Sequence, residues 1–128
     1  MFEGNQREIA EVIGRYFDAS YHGSGQGMLG VFHAAAHIYG RNEQGGLIDW
    51  PAAEFARLVD SGTAPAATNQ PREDEIVSIC FTGEQTAVAI VKLRLFQTRY
   101  TDILTFLSID GNWRVIAKAL SAEKVEAQ

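Results

Sequence analysis

Apolar and polar positions alternate most regularly in the second half of the chain, between Glu84 and Leu120. Gln85 to Phe96 alternates and is rich in β-branched residues (Thr86, Val88, Ile90, Val91), the pattern of a pleated, half-buried strand. Tyr100 to Ile109 repeats that pattern, and Trp113 to Leu120 repeats it again. Between these two, Asp110-Gly111-Asn112 is a hairpin signal, because glycine reaches positive φ without steric cost. Gln97-Thr98-Arg99 is a weaker turn. Ahead of this block, Glu73 to Thr82 leaves few polar gaps (Ile76, Val77, Ile79, Cys80, Phe81) and predicts a strand covered on both faces.

In the first half the period becomes helical. From Asn5 to Tyr21, residues Ile9, Val12, Ile13, Tyr16, Phe17 and Ser20 recur at three- and four-residue spacing, one stripe for a sheet to cover. Asn5 is placed to cap this helix, with Glu8 as its capping-box partner. His22-Gly23-Ser24-Gly25 ends it. A short helix over Gln26 to Phe32 turns Met28, Leu29 and Phe32 inward, and His33 to Ala36 leads into an extended piece, His37 to Arg41. Asn42 to Gly46 is a turn, and Leu47 to Trp50 a short strand closing a hairpin. Pro51 suits the first turn of a third helix running to Val59 or Asp60, with Phe55, Leu58 and Val59 on its buried side. Thr63 to Arg72 reads as a surface loop, and Ser121 to Gln128 as a frayed polar tail. Three helices and a hairpin before four long strands predict an α+β fold, helices on one face of a curved antiparallel sheet. Such a sheet forms a cone with a mouth.

Composition narrows the partners. At 128 residues the chain reads as one domain, 1–128, long enough for a single core. No apolar run is long enough to span a bilayer, and Met1 to Asn5 carries neither the basic nor the apolar region of a signal peptide. The single cysteine, Cys80, lies in an apolar strand and reads as a buried small hydrophobe, and a cytoplasmic protein is expected. Net charge is −5, with Lys and Arg scattered, which argues against nucleic acid as a partner.

Four stretches carry a resemblance: Ile13-Gly14-Arg15-Tyr16-Phe17, Met28-Leu29-Gly30-Val31-Phe32-His33, Tyr100-Thr101-Asp102-Ile103-Leu104, and Asp110-Gly111-Asn112-Trp113-Arg114-Val115-Ile116. In order and spacing the chain resembles the nuclear transport factor 2-like superfamily, with its cystatin-like fold, and within it the bacterial SnoaL-like or lumazine-binding branch. The resemblance implies a cone-shaped barrel with an apolar pocket and a homodimer packed through the sheet. It implies no single activity, since the superfamily holds isomerases, dehydratases, cyclases, transport factors and non-catalytic association domains.

On the Tyr100–Ile109 strand, Tyr100, Asp102, Leu104, Phe106 and Ser108 share one face, and alternation leaves open whether that face lines the cone. Asp102 stands between apolar neighbours, where desolvation would favour a proton-shuttling carboxyl; the alternative is a pair with Arg94 or Arg99. His33 and His37 are four apart, but one falls at a helix end and the other begins a strand, and no further ligand pattern joins them, so no metal is expected. His33 suits a helix C-terminus, and His37 could be a pocket acid or base. Tyr16 and Tyr39 offer hydroxyl anchors, and Phe32, Tyr39, Trp50, Phe55, Tyr100 and Phe106 are candidate ligand contacts. Arg114 and Lys118 read as a solvated or interface face. Three functions follow: a cofactor-free binder of a small apolar or aromatic molecule, a cofactor-independent lyase or isomerase using Asp102 or His37 as base with Tyr16 or Tyr39 as electrophile, and a dimerisation module without an open pocket.

Overall fold

The computed structural model describes residues 2–125. The elements run α1 (Phe2–His22), α2 (Gly25–Val31), β1 (Phe32–Arg41), β2 (Leu47–Pro51), α3 (Ala52–Ser61), a 3₁₀ turn (Pro65–Thr68), β3 (Asp74–Phe81), β4 (Thr86–Leu95), β5 (Thr98–Ile109) and β6 (Asn112–Lys124). One six-stranded sheet takes the order β2-β1-β6-β5-β4-β3. β1 lies parallel to β6, and every other neighbouring pair is antiparallel. β1 follows α2 without a break and joins the sheet at the flank of the meander, parallel to its last strand, which makes the sheet mixed.

The predicted stripe of α1 is the one buried, with Ile9, Val12, Ile13, Tyr16, Phe17 and Ser20 all inside. It faces Ala87, Ala89, Val91 and Leu93 of β4 and Asp102, Leu104 and Phe106 of β5. The Tyr100–Asp102–Leu104 face is therefore the inner one. On the outer face, Ile90 and Ile103 are cross-strand partners and remain exposed. Gly25 lets α2 lie against α3: a Cβ there would overlap the Ala56 carbonyl oxygen, and its N–H donates to Asp60 Oδ1 at 2.7 Å.

Several local expectations are corrected. α1 begins at Phe2, so Asn5 is inside the helix, and its Oδ1 accepts from Trp113 Nε1 at 3.4 Å instead of capping. Ser24 provides the cap of α2, accepting from Gly27 N at 2.9 Å. β1 starts at Phe32, which makes His33 a strand residue whose Nδ1 accepts from Ala35 N at 2.9 Å. Pro51 closes β2 and stands at the N-cap of α3 rather than within its first turn. β3 is an edge strand paired only with β4, so most of it, including Cys80, is exposed. The segment expected to fray continues β6 to Lys124, paired with β5 through Thr98↔Lys124; the rest of that expectation, 126–128, lies outside the described residues. The hairpin at Asp110 (φ 52°) and Gly111 (φ 82°) has the two positive φ angles that suit twisted strands. The β4–β5 turn is tighter than expected, with Phe96 at φ 59° held by its N–H to Gln70 Oε1 at 2.7 Å.

One irregularity matters more than these. On β5 and β6 the partners run Phe106↔Val115 and then Thr105↔Ala117, so Ile116 is an extra residue, a bulge. Before it, Trp113 and Val115 point inward; beyond it, the inward position falls on Lys118. Strict alternation had placed Lys118 outside. A single inserted residue reverses the face of everything that follows.

Candidate functional site

Three polar side chains meet under the helices. Tyr16 descends from α1, Asp102 rises from β5, and Lys118 comes from β6 two positions along, opposite Leu104 while Asp102 is opposite Leu120. Lys118 Nζ donates to Tyr16 Oη at 2.7 Å, and Tyr16 Oη donates to Asp102 Oδ2 at 2.5 Å. Lys118 Nζ lies 3.8 Å from the same carboxylate oxygen. Tyr16, Asp102 and Lys118 are 1%, 0% and 5% exposed, so little solvent screens the group. Among the described residues, Asp102 Oδ1 has no hydrogen-bond partner. The ammonium end of Lys118 lies against aromatic surface, 4.9 Å from the Tyr16 ring centroid and 4.4 Å from that of Phe55.

Burial pushes the Tyr16 hydroxyl well above the ordinary tyrosine range, and the Asp102 carboxylate pushes it further. Burial also lowers the Lys118 amine, with Asp102 opposing the shift. The half-buried Tyr100 hydroxyl is raised for the same two reasons. Because Lys118 binds its proton less readily in the folded chain than in the unfolded one, its contribution to stability grows as pH climbs from the folded value towards the ordinary lysine range. Tyr16 acts oppositely, since the unfolded chain ionises first above about pH 10. Wild type is therefore expected to gain stability relative to Lys118→Met as pH rises from about 7 to about 10, measured as urea midpoints. A difference that stays flat would contradict a buried, depressed lysine.

Above the cluster opens a cavity of about 620 Å³. Tyr16, Ser20 and Lys118 lie at its buried end, Met28, Trp50, Phe55 and Leu93 supply apolar wall, and the exposed Arg41 and Glu43 stand at its rim. Trp50 and Phe55 stack at 6.3 Å, giving a flat aromatic side. Asp102 sits behind Tyr16 and Lys118 and does not line the cavity.

Of the residues singled out in the sequence, Tyr16 and Asp102 come together, and Trp50, Phe55 and Tyr100 line the cavity. Phe32 and Phe106 are packed in the core behind it. His37 and Tyr39 lie on the other side of β1, stacked on each other, with His37 Nδ1 2.6 Å from Asp49 Oδ1. His37 is thus not brought to the cavity. Arg94 and Arg99 both pair with Glu73, so neither serves as the partner of Asp102. Lys118, read from the sequence as part of a solvated or interface face, is buried at the site instead, and its position as a lone charge in Val115-Ile116-Ala117-Lys118-Ala119-Leu120 was a signal that could have found it.

Solved structures of the same architecture define the class. A nuclear transport factor 2-like protein of unknown function from Shewanella baltica matches with a TM-score of 0.87 at 21% identity, over 96% of this chain and 97% of its own. Another from Methylobacillus flagellatus gives 0.82 at 23% identity, over 94% and 93%. A ketosteroid isomerase-like protein from Erwinia carotovora atroseptica gives 0.70 at 12% identity, over 91% and 94%. The fold is accordingly nuclear transport factor 2-like. Within that class, the family described as "Putative lumazine-binding" matches residues 4–121, and the chain belongs to it. No curated protein matches it.

Proposed function

We propose that the chain binds a small, largely apolar and flat molecule in the cavity, with a polar group of that molecule set against Lys118 and Tyr16. What supports this most is the contrast within one space: apolar and aromatic walls that end at the buried Lys118 amine and the Tyr16 hydroxyl, whose own proton is given to Asp102. Pockets of a few hundred Å³ with few, convergent polar groups are the usual form of small-molecule sites, and the wall does the binding while the polar end sets orientation. Bicyclic heteroaromatics bearing carbonyl oxygens, the class to which lumazine belongs, fit both halves of that description.

The test is a thermal-shift titration of the purified chain with lumazine, riboflavin, a steroid ketone and 2-naphthol. A native-state ligand at a hundred times its dissociation constant stabilises by about 2.7 kcal/mol. A saturable rise in Tm is expected in wild type and is lost in Ala122→Trp, which fills the cavity from β6. Equal responses of the two proteins to every compound would overturn the reading. A second reading, a cofactor-independent proton-transfer enzyme, is favoured by the continuous hydrogen bonding from Lys118 through Tyr16 to Asp102.

A further inference from the structure

We propose that Lys118 captures an aldehyde or ketone in the cavity as a Schiff base, with Tyr16 and Asp102 moving its protons. The proposal rests on the cavity being a ligand site and adds a covalent chemistry to it. Three observations carry it. Among the described residues Lys118 is the one lysine that lines the cavity, and its amine is at the buried end of an apolar space rather than on the surface. It lies against the Tyr16 and Phe55 rings, which orient the nitrogen, with the Tyr16 hydroxyl as its hydrogen-bond acceptor and the Asp102 carboxylate 3.8 Å away. Its hydrogen bonds run in one direction, Nζ to Tyr16 Oη to Asp102 Oδ2, which is a path for a proton leaving nitrogen. Desolvation in an apolar pocket is a recognised way to make a lysine nucleophilic, and burial lowers this one.

The chemistry balances without a further reactant. In the neutral form that burial favours, the Lys118 amine lone pair forms a bond to the carbonyl carbon as the carbonyl π pair moves onto oxygen. The proton lost from nitrogen passes to Tyr16 Oη while the Tyr16 proton passes to Asp102. Returned along the same path, that proton goes to the carbinolamine oxygen. The second nitrogen proton follows the same path to the carbinolamine hydroxyl, and that oxygen departs as water to leave the C=N bond. Water releases the carbonyl compound by the reverse sequence.

The chain contains three lysines, so the site can be mapped directly. Lys92 and Lys124 are exposed and serve as internal controls. The full chain is incubated with 2-naphthaldehyde and sodium cyanoborohydride, digested, and examined by mass spectrometry. Reduced adduct is expected at Lys118 in at least about tenfold excess over either control, with the excess growing as pH is lowered from about 9 to about 7. Tyr16→Phe, checked for folding by circular dichroism, is expected to slow labelling at position 118 by about tenfold and leave Lys92 unchanged. Equal labelling of the three lysines would overturn the proposal, as would a pH-independent ratio. If the aldehyde raises Tm saturably but leaves no adduct on Lys118, covalent capture fails while the cavity reading stands. If it neither stabilises the chain nor labels Lys118, both fall.

Discussion

Asp102→Ala is expected to lower the stability of the chain by about 3–5 kcal/mol, because removing one partner of a buried ion pair leaves the other charge uncompensated. The partner in question is Lys118, 3.8 Å from the carboxylate and 5% exposed. Tyr16 would also lose its acceptor and leave a buried hydroxyl unpaired. Because the buried amine can shed its proton, the loss should be largest near neutrality and shrink as pH rises. The companion experiment is Asp102→Leu combined with Lys118→Met. Replacing a buried pair by apolar side chains of similar size is often close to neutral, so the double variant should recover most of what Asp102→Ala loses. Urea unfolding curves of wild type, the single variants and the double variant give the coupling energy. If Asp102→Ala costs less than about 1 kcal/mol at neutral pH, the pair is not the dehydrated unit described above.

Phe32→Ala is expected to cost about 3–5 kcal/mol, the range for removing a fully buried aromatic ring. Phe32 is 2% exposed and sits edge-on to Tyr16 at 6.0 Å and to Phe55 at 5.6 Å. It therefore supports both residues that touch Lys118. Trp50→Ala offers the contrast: Trp50 is only half-buried and stacks on Phe55 from the cavity side. Its loss should cost the fold less than Phe32→Ala and cost more of any ligand-induced rise in Tm. Urea midpoints separate the first effect, and thermal-shift titrations the second. The reverse order would mean that Phe32 meets the ligand and Trp50 holds the core.

The residues most readable from sequence were those whose environment is set by near neighbours in the chain. Tyr16 lies on the three-and-four stripe of α1, so its inward direction followed from helical period alone. Asp102 stood out as a carboxylate inside a strand, and alternation put it on one face with Leu104 and Phe106, while the packing of α1 made that face the inner one. Its partner did not follow, because Lys118, two positions from the Leu120 that stands opposite Asp102, shares its face only through the bulge at Ile116. His37 was attractive for its chemistry, yet parity in β1 sends Ala36 and Ile38 inward and His37 outward. Cys80 and its apolar neighbours suggested a covered strand, but β3 took the edge, where burial is set by the lack of a next strand rather than by residue type.

By itself the sequence determined the helix stripe, the four long strands and the Asp110-Gly111 hairpin, because each depends on periodicity or on local backbone freedom. The tertiary structure alone decided which face of β5 is inside, where β1 joins the sheet, and how far β6 extends. It also decided the site. The bulge at Ile116 is a mismatch between two paired strands, a property of neither strand alone, and it is what turns Lys118 from the solvent side to meet Tyr16 and Asp102.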